Sequence, residues 1–205
     1  MVYYPLQTLL GVGITDILVI TAPEHAGDYL KYLGTGKEFG ARFTFVIQEE
    51  PKGLAQALGM AEHFADGQSI AMILGDNIFE DDYSKPIRAF NKGAMIFVKK
   101  VPDPERFGVV ELDKKKNVLS IQEKPKKPKS HFAQTGLYVY DNTVFARIKK
   151  QKPSARGELE ITDLNNSYLS DGLLTAAVVN GEWIDAGTFD SLLRASNFVA
   201  KKVKS

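Results

Sequence analysis

Short apolar runs alternate with amphipathic segments over the first hundred residues of the chain. Short apolar runs bounded by turn residues are typical of buried strands, and apolar residues spaced three or four apart are typical of a helix face. Alternation of the two predicts crossover connections, and therefore an α/β fold with a Rossmann-like, mainly parallel sheet. The pattern predicts strands at 16–21, 42–48, 69–74 and 94–99, and helices at 2–10, 23–33, 54–65 and 83–90.

The pattern changes after residue 100, where strand-like segments follow one another with little room for helices. The polar stretch 113–117 suits a hairpin connection, so this part of the chain is predicted to be antiparallel. We therefore expect two lobes around one cleft, residues 1–100 and 101–205. The predicted strands are 107–112, 118–122, 136–140, 173–179 and 183–185, and the predicted helices are 142–149, 160–169 and 188–203.

Composition excludes several classes of protein. The 205 residues are 44% hydrophobic and 25% charged, which supports a folded core, and no apolar run approaches the roughly 20 residues of a membrane span. The net charge of +1 gives no field that would gather nucleic acid, so neither nucleic acid nor membrane is an expected partner. The chain has no cysteine, which excludes disulfides and thiol nucleophiles, and its N-terminus has no leader pattern. A cytoplasmic location is the resulting expectation.

Two aspartates follow predicted strands. Asp76 lies in the sequence LGDN directly after the strand at 69–74, and Asp185 closes the short strand at 183–185. The ends of parallel strands form the edge where open α/β sheets bind ligands, and Mg²⁺ commonly takes one or two carboxylates together with substrate phosphates. Each aspartate is equally compatible with a simple turn.

Two further segments contain polar groups suited to ligand binding. Gln48 ends a strand and offers both a donor and an acceptor, which suits the edge of a base, while Gly53 would let the backbone approach it closely. Glu123 and Lys124 are neighbours on a strand, so their side chains point to opposite faces unless the backbone bends there. Arg156 lies just before an acidic helix start and could reach a phosphate. A surface connection and a solvated ion pair are the simpler interpretations.

Seven segments occur in one characteristic order along the chain. They are QEEPKGLAQAL, LGDNIF, RFGVVELD, QEKPKKPKS, TGLYVYD, ARGELEITD and WIDAGTFDSL. In this succession the chain resembles the sugar-1-phosphate nucleotidyltransferase family, most closely its thymidylyltransferases, from Met1 to about Ala200. The resemblance implies the nucleotide-diphospho-sugar transferase type of α/β fold, with an antiparallel sugar-binding part.

The resemblance also implies an activity and its site. The reaction joins dTTP and glucose 1-phosphate to give dTDP-glucose and pyrophosphate, with Mg²⁺ bound by Asp76 and Asp185 and the base recognised by Gln48 and Gly53. Lys124 and Mg²⁺ would supply the local positive charge, with Arg156 nearby, and the catalytic residues would be Asp76, Lys124, Asp185 and Arg156. The groups expected around the sugar and its phosphate are Gly108, Glu123, Lys124, the backbone of Gln134, Tyr138 and Trp183.

One part of the family pattern is not in this sequence. Members open with a strand and a glycine-rich loop of the form GGxGTRLxPxTxxxPK, which holds the triphosphate through backbone donors. The printed chain begins at MVYYPL, which resembles the segment after that loop. We therefore expect a gap in the sheet and no turnover by the 205-residue chain. A non-catalytic sugar-phosphate-binding or assembly module of the same fold is the alternative, and the family often forms homo-oligomers.

Overall fold

The structure is a computed structural model that describes residues 1–203. Within that range none of the helices is both long enough and apolar enough to cross a membrane. The helices are α1 (Tyr3–Gly11), α2 (Pro23–Leu33), α3 (Leu54–Gly59), α4 (Glu62–Ala65), α5 (Ser84–Ala89), α6 (Val144–Lys150), α7 (Ile161–Ser170) and α8 (Phe189–Val203). The strands are β1 (Asp16–Thr21), β2 (Arg42–Ile47), β3 (Ile70–Ile73), β4 (Asn77–Phe79), β5 (Ala94–Lys100), β6 (Gly108–Leu112), β7 (Val118–Glu123), β8 (Phe132–Tyr140), β9 (Leu174–Val178) and β10 (Trp183–Asp185).

The main sheet has six strands built around β8. Its order is β7-β6-β8-β5-β9, and β3 also pairs with β8. β8 runs antiparallel to β3, β5 and β6, whereas β5 and β9 are parallel. Because β3 and β5 come from the first hundred residues and β8 from the second, residues 1–100 and 101–205 share this sheet.

The α/β class is confirmed, and the main sheet is mixed rather than mainly parallel. Among the strand pairs of residues 1–203, only β1–β2 and β5–β9 are parallel. The β6–β7 hairpin is antiparallel as predicted, but the antiparallel direction of β8 against β3 and β5 was not expected. β8 also begins four residues before the predicted strand, because Gln134 and Thr135 are polar residues that are buried within it. Polar residues at buried positions interrupt the apolar pattern from which a strand is recognised.

The other predicted elements lie close to the observed ones. The helix expected at 54–65 divides into α3 and α4, with Met60 and Ala61 between them after Gly59, a residue that weakens helices. The Gly75-Asp76-Asn77 turn leads directly into β4, a strand that the sequence did not predict and that pairs with β10. This non-local pairing positions the candidate site.

The β1–β2 pair lies beside the main sheet and is separated from it by a cavity. The cavity has a volume of about 300 Å³, and apolar residues of β1 and β3 line it together with residues of α1, α3 and α4. β1 pairs with β2 along one edge, and in residues 1–203 no strand pairs with its other edge. A cavity bordered by β1 and β3 and lined by apolar helix residues has the surroundings of a buried strand.

Candidate active site

Asp76 and Asp185 lie side by side although 109 positions separate them in the sequence. The antiparallel pairing of β4 with β10 sets Asn77 opposite Asp185, and the backbone N–H of Ala186 donates to the carbonyl oxygen of Asp76 at 2.9 Å. A Cβ added to Gly187 would lie 3.1 Å from Asp185 Oδ1 and 3.2 Å from Asp76 Oδ2. Both carboxylates therefore face the small space beside Gly187.

The negative charges of Asp76 and Asp185 lie close together, which favours the binding of a cation between them. Burial raises the pKa of Asp185, and the negative charge of Asp76 adds to the effect, against the opposing hydrogen bond from the backbone N–H of Gly187. Two carboxylates fit Mg²⁺, whose remaining positions substrate phosphates and water can fill. The described residues contain no cluster of three or more acidic or histidine side chains that would make a site built from protein ligands alone. The missing side chain of Gly187 leaves the space between the carboxylates open.

Asn77 connects the carboxylate pair to the rest of the site. Its side chain is fully buried, and its Nδ2 donates to Asp76 Oδ1 at 2.8 Å. Its Oδ1 accepts from Trp183 Nε1 at 2.6 Å and from the backbone N–H of Gly136 at 2.9 Å. Sequence reasoning missed this residue, because an asparagine after Gly-Asp is read as part of a turn. Only the pairing of β4 with β10 and its contact with β8 show that it is a buried junction.

Glu123 and Lys124 lie where the backbone bends. β7 ends at Glu123, which is opposite Gly108 on β6, and Lys124 has a φ of +40°, in the left-handed region. The backbone N–H of Lys124 donates to the carbonyl oxygen of Phe107 at 3.0 Å, which fixes this bend. The Phe107 ring lies 5.2 Å from that of Trp183, and these rings form an aromatic wall between the bend and Asn77. The bend is the condition under which an adjacent acid and base can serve one ligand.

Arg156 is bound to carboxylates in this structure. It donates to both oxygens of Glu160, at 3.0 and 2.8 Å, and its guanidinium is 3.7 Å from Glu123. Burial acts to raise the pKa of Glu160, but hydrogen bonds from Arg156 and Ser154 outweigh it, and the pKa is lowered. The charge of Lys124 acts in the same direction on Glu160, which places that ammonium near the same cluster. Arg156 therefore helps to hold the acidic groups beside Glu123.

Tyr138 is a buried residue whose pKa responds to charges in both halves of the site. It lies on β8 and is only 3% exposed. Burial raises its pKa, and the negative charges of Glu123 and then of Asp185 raise it further. Direct contacts join the two halves. Asn77 donates to Asp76 and accepts from Trp183, whose ring lies 5.2 Å from that of Phe107. The carbonyl oxygen of Phe107 in turn accepts from the backbone N–H of Lys124, next to Glu123. The two candidate groups thus belong to one site.

Gln48 and Gly53 lie in the other part of the molecule. Gln48 borders the cavity between β1 and β3 together with Gly75, next to Asp76, and its Nε2 donates to Gln56 Oε1. Gly53 has a φ of +103°, and a Cβ there would be 2.5 Å from the carbonyl oxygen of Leu159. Close packing against Leu159 is thus one reason for a glycine at this position. Recognition of a base by these two residues stays a prediction.

Comparison with known proteins shows which family the chain belongs to. The Nucleotidyl transferase family profile matches residues 1–202. A glucose-1-phosphate thymidylyltransferase of Neisseria gonorrhoeae is 48% identical over an alignment of 205 positions that covers 97% of this chain and 71% of the relative. One from Mycolicibacterium smegmatis is 47% identical, with the same shares of both chains covered.

Solved structures agree with these sequence comparisons. A crystal structure from Bacillus anthracis, described as a glucose-1-phosphate thymidylyltransferase in complex with sucrose, matches 96% of this chain and 81% of its own, with a TM-score of 0.92 and 48% identity. A UDP-glucose pyrophosphorylase complexed with UDP-glucose has a TM-score of 0.83 over 97% of this chain and 86% of its own, at 21% identity, which supports the fold alone. The chain therefore belongs to the nucleotidyl transferase family, among relatives that are glucose-1-phosphate thymidylyltransferases.

Proposed function

We propose that this protein is built for a Mg²⁺-dependent nucleotidyl transfer from dTTP to glucose 1-phosphate, giving dTDP-glucose and pyrophosphate. The names of relatives at 47% and 48% identity support the substrates. One observation carries the proposal. The carboxylate pair Asp76 and Asp185 is connected to the bend at Glu123 and Lys124 through Asn77 and the packed rings of Trp183 and Phe107. This arrangement gives one site both a metal-binding end and a sugar-binding end.

The sugar end offers acceptors and a cation. Glu123 Oε2 accepts a hydrogen bond from Thr162 Oγ1 at 2.6 Å, and each oxygen of a carboxylate has two lone pairs. The remaining lone pairs can accept from sugar hydroxyls, which is a common way for a carboxylate to hold a hexose. Lys124 is exposed and can place its ammonium near the sugar phosphate. In this proposal Gly108 and the backbone of Gln134 border the sugar, and Trp183 closes one side.

The chemistry needs alignment more than a base. An oxygen of the glucose 1-phosphate dianion attacks the α-phosphorus of dTTP, and the bond from that phosphorus to the bridging oxygen of pyrophosphate breaks. The nucleophile is already anionic, so no proton has to be removed. Asp76 and Asp185 would hold Mg²⁺, which when bound supplies charge neutralisation for the phosphates. Lys124 supports the attacking phosphate, and the fixed site keeps the reactants in line.

A second candidate function is favoured by the cavity between β1 and β3. This slot separates Gln48, the predicted base-reading residue, from the main sheet, and strands border it on two sides. A module that binds sugar phosphate without catalysis would keep the Glu123 end of the site intact and leave the slot open. Binding and turnover measurements separate the two candidates.

Binding is tested through the single tryptophan. Trp183 lies in the site, so its fluorescence should change when glucose 1-phosphate or dTDP-glucose is added. Glu123→Ala should weaken binding of both ligands, whereas Glu38→Ala, an exposed acid in the short helical turn at Lys37–Phe39, should leave it unchanged. Equal binding by Glu123→Ala and the unchanged protein would remove Glu123 from the sugar site.

Turnover is tested by pyrophosphate release. We measure release from dTTP, glucose 1-phosphate and Mg²⁺ with the 205-residue chain and with a chain extended at its N-terminus by a strand and glycine-rich loop of the family form, and we expect clear release from the extended chain. In the extended chain, Asp76→Asn and Asp185→Asn should abolish turnover and preserve the fold by circular dichroism. An extended chain that binds glucose 1-phosphate but releases no pyrophosphate would favour the non-catalytic module.

A further inference from the structure

A buried chain of hydrogen bonds runs from the core to Glu123. Tyr140 Oη donates to Asn165 Oδ1 at 2.8 Å, and Asn165 Nδ2 donates to Gln134 Oε1 at 2.7 Å. Gln134 Nε2 then donates to Thr162 Oγ1 at 2.9 Å, and Thr162 Oγ1 donates to Glu123 Oε2 at 2.6 Å. These hydrogen bonds connect a core tyrosine to the carboxylate at the sugar end of the site.

The members of this chain are almost completely enclosed. Tyr140 and Asn165 are 0% exposed, Thr162 is 1% exposed and Gln134 is 5% exposed, whereas 29% of the Glu123 side chain is exposed. Buried polar groups need partners, and here each finds its partner within the chain. The chain therefore opens to the site only at its Glu123 end.

The direction of the chain follows from the charge of Glu123. An ionised carboxylate can only accept, so the Thr162 hydroxyl must donate to it and use a lone pair to accept from an N–H of Gln134. The amide oxygen of Gln134 must then accept from Asn165. The oxygen of Asn165 is left to accept from the hydroxyl of Tyr140. All the donors point toward Glu123, and hydrogen bonds in such a row strengthen one another.

The neighbouring strand leaves room for this chain. A Cβ added to Gly108 on β6 would lie 2.1 Å from Gln134 Nε2 and 3.0 Å from Thr162 Oγ1. The glycine that faces Glu123 across the β6–β7 pair thus also allows Gln134 and Thr162 to meet. The fold accommodates the connection at the same point where it forms the sugar end of the site.

We propose that Tyr140, Asn165, Gln134 and Thr162 form a one-way hydrogen-bond chain that positions the Glu123 carboxylate to accept from the sugar. This inference rests on the proposed function, because it assigns Glu123 to the sugar. In this proposal these four side chains do not contact the sugar. They act as positioning residues, because they orient the Glu123 carboxylate that does. Their effect on binding should therefore pass through Glu123, whereas a purely structural effect would not.

The ring hydroxyl farthest from the site provides the first test. Tyr140→Phe should weaken glucose 1-phosphate binding by about three- to tenfold, the range for loss of one hydrogen bond. Tyr168→Phe is the matched control, because its ring lies 5.8 Å from that of Tyr140 but its hydroxyl bonds to Asp141 and Thr143. Both variants should lose stability, and only Tyr140→Phe should lose affinity. Equal loss of affinity in the two variants, or none in Tyr140→Phe, would overturn the proposal.

The last link gives a second test that does not depend on the tyrosine variant folding. Thr162→Val should weaken binding about tenfold, Thr162→Ser should restore it to within about twofold, and Thr135→Val, which removes another buried hydroxyl, should leave it unchanged. In a Glu123→Ala background, Thr162→Val should change affinity by less than about twofold. A full additional loss in that background would show that Thr162 acts independently of Glu123, against the proposal.

A ligand-free measurement separates failure of this inference from failure of the proposed function. In protein labelled with ¹³C-glutamate, the Glu123 carboxyl carbon signal should move in Tyr140→Phe and Thr162→Val and stay in place in Tyr168→Phe. If glucose 1-phosphate does not bind, or Glu123→Ala binds it unchanged, the assignment of Glu123 to the sugar fails, and with it the positioning role. If Glu123→Ala weakens binding but neither the signal nor the affinity changes in Tyr140→Phe, the chain alone is refuted.

Discussion

Replacing Asp185 by asparagine should make the metal-free protein more stable. Asp185 is partly buried, and burial followed by the charge of Asp76 raises its pKa. A carboxyl with a raised pKa in the folded state contributes stability at low pH and loses it as the pH rises through that pKa. At neutral pH the ionised Asp185 therefore costs stability, a cost that the neutral amide of an asparagine at this position would not carry.

The distances set the size of the effect. Asp185 Oδ1 and Asp76 Oδ2 lie 3.1 and 3.2 Å from the same point beside Gly187, so they are at most about 6.3 Å apart. Two unit charges at that separation repel by about 0.7 kcal/mol in water and about 2.6 kcal/mol at an effective dielectric of about 20. For a chain of this length, about 1 kcal/mol changes Tm by roughly 2–4 °C, so we expect Asp185→Asn to raise Tm by roughly 1–10 °C without Mg²⁺.

Thermal unfolding with and without Mg²⁺ tests both parts of this reasoning. The difference between the variant and the unchanged protein should increase with pH through the pKa of Asp185. Mg²⁺ should raise the Tm of the unchanged protein, because it binds only the folded site, and should not raise that of Asp185→Asn. Asp28→Asn, at an exposed acid of α2, is the control and should behave as the unchanged protein. A variant that melts at a lower temperature without metal, or that gains equally from Mg²⁺, would refute the paired-carboxylate interpretation.

Three further predictions concern other parts of the structure. Gly187→Ala should abolish the Mg²⁺-induced rise in Tm while preserving the fold, because its Cβ would fill the space between the carboxylates; an unchanged rise would contradict this. Glu160→Gln should destabilise the protein by about 1–2 kcal/mol at pH 7. This value is kept small because Arg156 is half-exposed and water screens its charge. The pKa of Glu160 is lowered from 4.5, so its ion pair stabilises the protein above about pH 4.5 and this stabilisation is lost as the pH falls through the pKa of the folded state. Urea unfolding of both proteins at pH 7 and pH 4 measures the difference in stability. An equal difference at the two pH values would count against this reasoning. In the described range 1–203, β1 and β3 pair with no strand on the sides that face the cavity between them, so these edges should make the protein associate with rising concentration, measured by light scattering; a monomer throughout would contradict this.

Local pattern predicted most of the secondary structure. Strands β1 and β2, helix α2 and the β6–β7 hairpin lie where apolar periodicity and turn residues placed them, because these signals depend on neighbouring residues in the chain. The apolar pattern did not predict β4 or the first four residues of β8, because these residues become buried through partners that are not their neighbours in the chain. Asn77, Gln134 and Thr135 are polar residues whose burial depends on partners far away in sequence.

The same division holds for the site. The sequence alone indicated Asp76 and Asp185 as acids at strand ends. It also indicated that Glu123 and Lys124 could bind one ligand together only if the backbone bends between them. The tertiary structure supplied that bend and brought the two aspartates to one point through the β4–β10 pairing. Sequence reasoning did not find Asn77, because its importance comes from simultaneous contacts with Asp76, Trp183 and Gly136.

The sequence by itself determined the family pattern, the order of most elements and the residue types available for chemistry. Only the tertiary structure decided which of those residues meet, and that Glu123 is tied to Tyr140 through three buried side chains. The physical reason is that periodicity reports whether a residue faces a core, whereas hydrogen bonds between distant segments depend on strand register and helix packing. A buried polar residue carries no local signal of its partner until the chain is folded around it.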